Sequence, residues 1–507
     1  MLYKINNKLF NVSEFIFLFF ISVMSSIAAY MIHKNSTLWS DELIMLITAK
    51  RGILESIFQL EDYSAPLYQM LLRFFIKEEF PPEWIVRAPA FLFMILGLIS
   101  TWYFTKYVFG RRVGIITILL LSTNPYFLLY GAEARPYSMF LFFSVTSMGI
   151  FYKIITSDNI KFKHIFLYVI TTTLLLYTHY YGVLLLFSQI SYAFATIIIR
   201  DYHWRQKKII GFAFLITIIF SIPSFLLAMR YIVSGAKGTI GWIARPRMTD
   251  LIWLRQTGEL LGDNILSVLC VISIISALYF NKLTNDKSEI NDNLIYNGKR
   301  DIIKWWINRD NNMLCVFWII CSLYSLILIS YIGRPIYVKR YGLPVLIPII
   351  ILIAVLLCRI RALPRIAIFM AIIILPLSTS IDFIIMDRLD YKHTITKLRE
   401  LNNERSPVFV TDWAYCENFI NPEIYGMRYY GYNEHELKLL FLRFPKPIEI
   451  LDPGIIPEDK RLFIIAYVGE NAIEEYLKKN LRNYRIFTYG KLSLFEVQKV
   501  YGKLMVN

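Results

Sequence analysis

The sequence is poor in the residue patterns that support disulfides, Cys/His metal sites and nucleotide chemistry. It has only five cysteines in 507 residues. Cys270, Cys315, Cys321 and Cys358 lie in or at the ends of hydrophobic segments, while Cys416 has no obvious partner. Neither a disulfide framework nor a metal-type Cys/His spacing results. There is also no Gly-rich phosphate loop, so we expect no nucleotide cofactor.

The hydrophobic content decides the broad class of the protein. Hydrophobic residues make up 56% of the chain, and its mean hydropathy is +0.48. Soluble proteins are usually about 45–50% apolar, so we predict a polytopic α-helical membrane protein. The formal net charge of +16 does not indicate nucleic-acid binding. Lys and Arg lie mainly between hydrophobic segments, where a basic excess reflects membrane orientation.

A window of roughly 20 residues predicts about eleven transmembrane spans. They are Phe15–Met31, Ala88–Lys106, Val113–Leu129, Tyr137–Ile155, His164–Tyr177, Val183–Ile199, Ile209–Met229, Leu260–Phe280, Leu314–Tyr331, Leu343–Cys358 and Ile366–Ile385. Lys4 and Lys8 precede the first span without a small-residue cleavage site after it. We therefore expect an uncleaved span rather than a signal peptide.

The basic loops predict the orientation of these spans. If the spans alternate, the following groups fall on one side, which the positive-inside rule assigns to the cytoplasm. They are Lys4/Lys8, Arg111/Arg112, Lys153/Lys161/Lys163, Arg200/Arg205/Lys207/Lys208, Lys282–Arg309 and Arg359/Arg361/Arg365. The N-terminus is then cytoplasmic in a multi-pass cell-membrane protein. The membrane part spans 1–387, and the tail 388–507 faces outward.

The first outer loop, 33–87, is too long for a simple connection. It contains Trp39-Ser40-Asp41-Glu42 and two amphipathic stretches, Leu43–Leu60 and Leu67–Ile76, which suit helices lying in the membrane interface. Ionisable residues at the membrane are read as functional by default, so Asp41 is a candidate reacting group. The alternative is that Ser40 and Asp41 merely cap the helix that follows.

Two short outer turns carry further polar residues. Glu133 and Arg135 lie in one of them, where they either serve a site or pair with each other. His179 lies in the other, flanked by Tyr180 and other aromatic residues that are typical of an interfacial belt, so it receives a supporting role.

A third outer turn places cations against the positive-inside trend. Arg334, Lys339 and Arg340 lie there together. Such a cluster indicates an anionic ligand at the membrane surface, for example a lipid phosphate. The alternative is that these long side chains anchor the ends of spans.

The polar C-terminal region reads as a small extracytoplasmic α/β domain. The predicted strands are Pro407–Thr411, Lys446–Leu451, Leu462–Val468 and Tyr484–Tyr489, and the predicted helix is Ala472–Leu481. The region has no catalytic triad. Asp412 follows a strand end, a position that often serves sites in α/β sheets.

The sidedness of these residues points to a transfer reaction on the outer face. Nucleotide-activated donors are not expected there, so the donor must arrive through the bilayer, as a lipid-linked phosphate sugar does. Arg334, Lys339 and Arg340 would hold its phosphate as the leaving group gains charge. Asp41 would accept a proton from the acceptor hydroxyl, or orient an anionic acceptor.

The order of these motifs resembles the GT-C glycosyltransferases of the protein O-mannosyltransferase and aminoarabinose-transferase type. The resemblance covers about Phe15–Ile385. It is carried by Trp39-Ser40-Asp41-Glu42, Ser64-Ala65-Pro66-Leu67-Tyr68, Arg87-Ala88-Pro89, Glu133-Ala134-Arg135-Pro136-Tyr137, His179-Tyr180-Tyr181-Gly182 and Arg340-Tyr341.

This resemblance implies an inverting transfer from a polyprenyl-phosphate sugar to a lipid, glycan or protein. It implies a catalytic role for Asp41, and we add its neighbour Glu42 to the predicted catalytic residues. The predicted donor-binding residues are Arg87, Glu133, Arg135, Tyr137, His179, Tyr180, Arg334, Lys339, Arg340 and Tyr341. Some relatives bind a divalent metal near the donor phosphate, but its ligands are not recognisable in this sequence.

Two other classes of protein compete with this interpretation. A lipid or glycan transporter would also have about eleven spans, but it predicts broken or charged helices near the midplane and related halves. Here the distinctive charges lie at the outer ends. A membrane scaffold gives no reason for Asp41 or for cations on the outer side.

Overall fold

The computed structural model describes fifteen stretches of the chain. They are residues 12–34, 37–51, 64–157, 159–199, 204–233, 245–246, 311–333, 335–359, 391–402, 408–411, 429, 437–440, 461–467, 484–489 and 492–498.

The described part of the chain up to 359 is helical. The helices are α1 (Val12–His33), α2 (Ser40–Lys50), α3 (Pro66–Phe75), α4 (Glu83–Phe109), α5 (Arg111–Ser122), α6 (Pro125–Ala132), α7 (Tyr137–Ile155), α8 (Phe162–Thr178), α9 (Gly182–Ile199), α10 (Trp204–Val233), α11 (Asn312–Ile319), α12 (Ser325–Ile332) and α13 (Leu343–Arg359). A π-helical turn, Ile320–Tyr324, joins α11 to α12, and a 3₁₀ turn, Lys339–Gly342, precedes α13.

Six of the described helical stretches are long and apolar enough to cross a membrane. A seventh span results if α5 and α6, which meet at 66°, count as one, and α8 and α9 are shorter apolar helices. Each predicted span in the described residues therefore coincides with a helix or a bent pair. The predicted spans Leu260–Phe280 and Ile366–Ile385 lie outside those residues.

The position of a helix in the bundle follows from its side chains. α13 is apolar on all sides, as expected of a helix enclosed by others, and 83% of its span is buried. α1 is only 22% buried and lies at the edge. Gly110, whose φ of 92° favours glycine, lets the chain reverse from α4 into α5.

The first outer loop differs from the predicted interfacial shelf. α3 keeps an exposed apolar side chain, Phe74, at its surface. In α2, however, Leu43, Met45 and Leu46 are all buried, so this helix is enclosed by the protein. The rest of the stretch predicted as Leu43–Leu60 lies mainly outside the described residues.

The described C-terminal residues form helix α14 (Tyr391–Leu401) and a five-stranded sheet in the order β2-β1-β3-β5-β4. The strands are β1 (Val408–Thr411), β2 (Leu437–Leu440), β3 (Arg461–Tyr467), β4 (Tyr484–Tyr489) and β5 (Leu492–Gln498). β1 is parallel to β2 and β3, while β5 is antiparallel to β3 and β4.

The sequence predicts β1, β3 and β4 of this sheet but misses β2 and β5. β5 buries Leu494 at the sheet core, and only two residues separate it from the end of β4, as in a hairpin. The predicted strand Lys446–Leu451, the predicted helix Ala472–Leu481 and Asp412 lie outside the described residues.

Candidate active site

Asp41 lies in the first turn of α2 and faces a cation from a distant part of the chain. Its Oδ2 is 2.9 Å from an Nη of Arg340, and the two side chains are only 22% and 13% exposed. The Arg340 guanidinium also lies over the Trp39 ring, 5.1 Å from its centroid. The 3₁₀ turn before α13 thus brings the predicted donor-binding cation to the predicted catalytic carboxylate.

The capping role that the sequence allows for Ser40 and Asp41 belongs to another residue. Trp39 is the N-cap of α2, and its backbone N–H donates to Oε2 of Glu42 at 3.3 Å. The Asp41 carboxylate instead pairs with Arg340. The capping hypothesis for Asp41 therefore has no support in this geometry.

Glu42 and Arg87 form a fully enclosed ion pair. Arg87 Nε and an Nη donate to the two Glu42 oxygens, both at 2.8 Å. The Glu42 side chain is 0% exposed, and the N–H of Ala134 donates to it at 2.9 Å. Arg87 also donates to the carbonyl of Thr37 at 3.1 Å. This pair therefore ties the first outer loop to α4 and to the loop after α6.

That placement leads us to give Glu42 and Arg87 a role other than the predicted one. The sequence predicts a catalytic Glu42 and a donor-binding Arg87, but each side chain is occupied by the other. An enclosed carboxylate that accepts four N–H groups has no free oxygen to offer an acceptor. We therefore treat Glu42 and Arg87 as positioning residues that hold Asp41 in place.

The loop after α6 supports Asp41 from a second side. Arg135 donates through an Nη to the backbone carbonyl of Asp41 at 3.3 Å. Glu133, at the end of α6, is buried beside this loop. Both predicted residues thus lie within the cluster, and Arg135 contacts the backbone of the candidate catalytic residue.

An aromatic wall continues the site beyond Arg340. The ring centroid of His179 lies 4.8 Å from Phe140, 5.2 Å from Tyr181 and 5.1 Å from Tyr341. Tyr137 joins at 6.3 Å from Tyr341. Three of the predicted residues, Tyr137, His179 and Tyr341, are therefore brought together by α7, the α8–α9 turn and the start of α13.

Tyr181 also belongs to this aromatic wall, although the sequence analysis names its neighbour Tyr180 among the site residues and not Tyr181. Its ring packs on Tyr341 at 4.9 Å, and its hydroxyl donates to the carbonyl of Ile336 at 2.8 Å. Adjacent tyrosines in a turn point in different directions, and composition alone does not decide between them. Trp39 was missed too, although it belongs to the quoted tetrad and its ring contacts Arg340.

The remaining predicted residues are described only in part. Arg334 lies outside the described residues, and Lys339 is described only through its backbone in the 3₁₀ turn. Within the described ranges, no group of three His, Cys, Asp or Glu side chains has the arrangement of a metal site. The described residues therefore do not fit the divalent metal of some relatives, and we derive no step through a metal.

His179 is held neutral in this environment. Burial, followed by the positive charges of Arg135 and Arg340, lowers its pKa to about 3. Below the ordinary histidine pKa of about 6.5, His179 binds a proton in the unfolded chain but stays unprotonated in the folded protein. The stability contributed by this neutral imidazole is thus complete above about pH 6.5 and is lost progressively as the pH falls towards about 3.

We therefore predict that the thermal unfolding midpoint drops between pH 7.5 and pH 5, and that His179→Phe reduces this drop. Phe keeps an aromatic ring in the wall but cannot titrate. Differential scanning fluorimetry of both proteins at the two pH values measures the effect. An equal drop in both proteins would show that His179 is not the titrating group.

The comparisons with known proteins support this architecture. Residues 64–226 match the family described as dolichyl-phosphate-mannose-protein mannosyltransferase. This segment includes Arg87, Glu133, Arg135 and His179, but not Asp41 or Arg340. No curated protein sequence matches the chain.

Solved structures match almost the whole chain. ArnT from Cupriavidus metallidurans bound to undecaprenyl phosphate is 10% identical, with a TM-score of 0.55, and the match covers 96% of this chain and 98% of ArnT. The apo form of ArnT from the same organism is 11% identical, with a TM-score of 0.56 and the same coverage of both chains. The Archaeoglobus fulgidus oligosaccharyltransferase in complex with Zn and sulfate is 10% identical, with a TM-score of 0.53. That match covers 94% of this chain and 72% of the oligosaccharyltransferase.

Identities this low establish the fold, and the transporter alternative finds no support among these matches. The fold agrees with the family match in the membrane part and with the apolar helices of the bundle. The chain is therefore a multi-pass membrane protein with the fold of the GT-C glycosyltransferases.

Proposed function

We propose that this protein is an integral-membrane glycosyltransferase that moves a sugar from a polyprenyl-phosphate donor to an acceptor on the outer face of the membrane. The observation that carries the proposal is the pairing of Asp41 with Arg340 at 2.9 Å beside an aromatic wall. A base and a phosphate-binding cation are the two groups that such a transfer needs. The sugar is a hexose or pentose, and the acceptor is a lipid, glycan or protein.

The donor class is supported by charge and by similarity. Arg340 is a planar cation that binds phosphate through two N–H groups. ArnT, which shares the fold, has been solved with undecaprenyl phosphate bound. A prenyl chain suits a bundle of apolar helices, because its hydrocarbon surface can pack against their apolar side chains and needs no charged partner.

The reaction proceeds by a single displacement. The acceptor oxygen bonds to the anomeric carbon while the bond from that carbon to the phosphate oxygen breaks, and the electron pair leaves with polyprenyl phosphate. Asp41 takes the proton of the acceptor hydroxyl as the new bond forms. Attack from the face opposite the leaving group inverts the anomeric centre.

Arg340 has two successive partners in this scheme. Without donor it neutralises Asp41. When the phosphate binds, it competes for the guanidinium, and the carboxylate is released to accept a proton. The same cation then stabilises the charge that builds on the leaving phosphate. Glu42, Arg87 and Arg135 hold the backbone of the loop that carries Asp41.

A transfer assay tests the proposal directly. Purified protein in nanodiscs is incubated with a panel of synthetic polyprenyl-phosphate sugars, and mass spectrometry detects transfer to extracted envelope lipids, glycans and proteins. We expect transfer from one or a few donors, and loss of the matching modification from envelopes that lack the protein. An unchanged envelope together with no transfer from any donor would reject the proposal.

We predict that Arg340→Ala weakens use of the donor more than use of the acceptor. Loss of one charge-assisted contact costs about 1.5–3 kcal/mol, or roughly 10-fold to 100-fold in kcat/KM for the donor. Arg340→Lys keeps the charge but lacks the planar guanidinium, so its kcat/KM for the donor should lie between those of the wild type and Arg340→Ala. Steady-state kinetics with each substrate varied in turn measure this.

Lys77→Gln is the matched control for Arg340→Ala, because it removes one cation from an exposed part of the first outer loop. Normal donor kinetics in Arg340→Ala would show that this arginine only anchors the end of α13.

The orientation is also a proposal, with the N-terminus in the cytoplasm and the region from 388 outside as a separate domain. We predict that an impermeant maleimide labels Lys34→Cys in intact cells but labels Arg112→Cys only after lysis. Both positions are exposed and lie at opposite ends of the bundle, and each cysteine is placed in a chain without the native ones. The reverse pattern would place Asp41 on the cytoplasmic side and remove the argument for a lipid-linked donor.

A further inference from the structure

Six cations gather at the end of the bundle that lies opposite the candidate active site. α7 begins at Tyr137 beside Asp41 and ends at Ile155, so its far end is about 28 Å away at 1.5 Å per residue. α8 begins at that far end and returns to His179. The six residues, which we call the basal cation cluster, are Lys153, Lys161, Lys163, Arg205, Lys207 and Lys208.

Three helices bring these cations together. Lys153 is in the last turn of α7, and Lys161 and Lys163 flank the start of α8. All three act electrostatically on the same imidazole, that of His164. Gln206 Nε2, in the first turn of α10, donates to the carbonyl of Ser157 at 3.4 Å. The start of α10 therefore lies against the connection between α7 and α8.

The cluster has no neutralising partner within the part of the chain that the structure describes. All six side chains are exposed, and no ion pair between described residues includes any of them. Asp158 and Asp201 lie outside the described residues. The N-termini of α8 and α10 point to the same region and add their partial positive charge.

The surroundings of the cluster resemble a membrane interface. Phe162 and Trp204, at the starts of α8 and α10, are 79% and 61% exposed, and Lys208 lies 3.2 Å from the centroid of the Trp204 ring. Exposed aromatic residues at helix ends are typical of the headgroup level. The cations are thus held where lipid phosphates lie, rather than in bulk solvent.

One buried atom among these cations lacks a partner. His164 is only 9% exposed, and its Nδ1 makes no hydrogen bond to any described residue. Burying such a group without a partner has a cost, which marks the start of α8 as a place where polar contacts are incomplete.

We propose that the basal cation cluster is a binding site for the headgroup of an anionic phospholipid in the leaflet opposite the active site. The positive-inside rule explains an excess of Lys and Arg on one side. It does not require that cations from three helices meet at one place, with three of the lysines around one buried imidazole. A bound lipid would join α7, α8 and α10, and two of these helices, α7 and α8, also carry the aromatic wall.

The test is lipid binding to the full-length detergent-purified protein, measured by native mass spectrometry. The probes are phosphatidylglycerol and phosphatidylcholine with identical acyl chains. We expect tighter binding of phosphatidylglycerol, weakened as salt rises from about 0.05 to 0.5 M. In the variant Lys161→Gln/Lys163→Gln/Lys207→Gln, affinity for phosphatidylglycerol should fall about 10-fold to 100-fold, with phosphatidylcholine unchanged.

The matched control variant removes the same number of exposed lysines elsewhere, as Lys34→Gln/Lys77→Gln/Lys392→Gln. Equal loss in the control variant, or equal affinity for the two lipids, would overturn the proposal. Displacement of phosphatidylglycerol by millimolar inorganic phosphate would also overturn it, by showing a free-phosphate site. If the triple variant does not fold, the salt dependence of the wild-type protein and the single variant Lys163→Gln decide the question.

Discussion

Replacing Asp41 with Asn is expected to reduce turnover by roughly 10²-fold or more, the usual range for loss of a general base. Asn keeps the shape of the side chain but cannot accept the acceptor proton. The backbone cap of α2 is not at risk, because Glu42 accepts the N–H of Trp39. Transfer of a labelled sugar from polyprenyl phosphate, measured under single-turnover conditions, gives the effect on the chemical step.

The stability of the Asp41→Asn protein should remain close to that of the wild type. The Asp41–Arg340 pair is mostly enclosed, but the side-chain oxygen of Asn can still accept a hydrogen bond from Arg340, so part of the interaction is kept. Thermal unfolding of the same purified sample separates lost chemistry from lost folding. Glu78→Gln, which removes an exposed carboxylate from the same loop, is the matched control. Wild-type transfer by a folded Asp41→Asn protein would reject the catalytic role.

The second large effect is expected from Arg87→Met, which should destabilise the protein by about 3–5 kcal/mol. Met retains much of the volume of Arg but leaves the Glu42 carboxylate buried without its cation. The cost arises from an uncompensated charge away from water. Activity should fall with stability, because the loop that carries Asp41 loses its anchor to α4.

A double-mutant cycle makes this prediction specific. In Glu42→Gln the side chain is neutral, and its single carbonyl oxygen still accepts one of the two N–H groups, from Trp39 or Ala134, that Glu42 accepts. Arg87→Met should therefore cost much less in that background, and thermal unfolding of the four proteins gives the coupling energy. Additive costs would show that the pair is not coupled. Normal stability with a raised KM for the donor would instead restore Arg87 to the donor-binding residues.

Asp41→Asn and Arg87→Met test different roles for two acidic residues, Asp41 and Glu42, that are adjacent in the chain. Asp41 and Glu42 differ by about 100° around α2, so one carboxylate faces the partly exposed Arg340 and the other faces the enclosed Arg87. The first side chain keeps 22% of its surface exposed, whereas the second is fully enclosed. Reaction chemistry is therefore expected from the first and mechanical support from the second.

The sequence by itself determined the membrane class and most of the helices. Runs of apolar residues about 20 long have few alternatives to a membrane-spanning helix, because the backbone must satisfy its own hydrogen bonds in lipid. For the same reason α1, α4, α7 and α13 were predicted within a few residues of their ends. The sheet was predicted less well, since short strands such as β2 depend on partners that are distant in the chain.

The sequence also predicts Asp41 and Arg340 as site residues from their places relative to the spans. Only the tertiary structure decided how the polar residues pair. Arg340 meets Asp41 across 299 positions of sequence, and Arg87 meets Glu42 across 45. The ring of Tyr181 joins the aromatic wall, which the sequence did not predict. Hydropathy places a residue at one end of a helix, but the direction of its side chain depends on how that helix packs against the others.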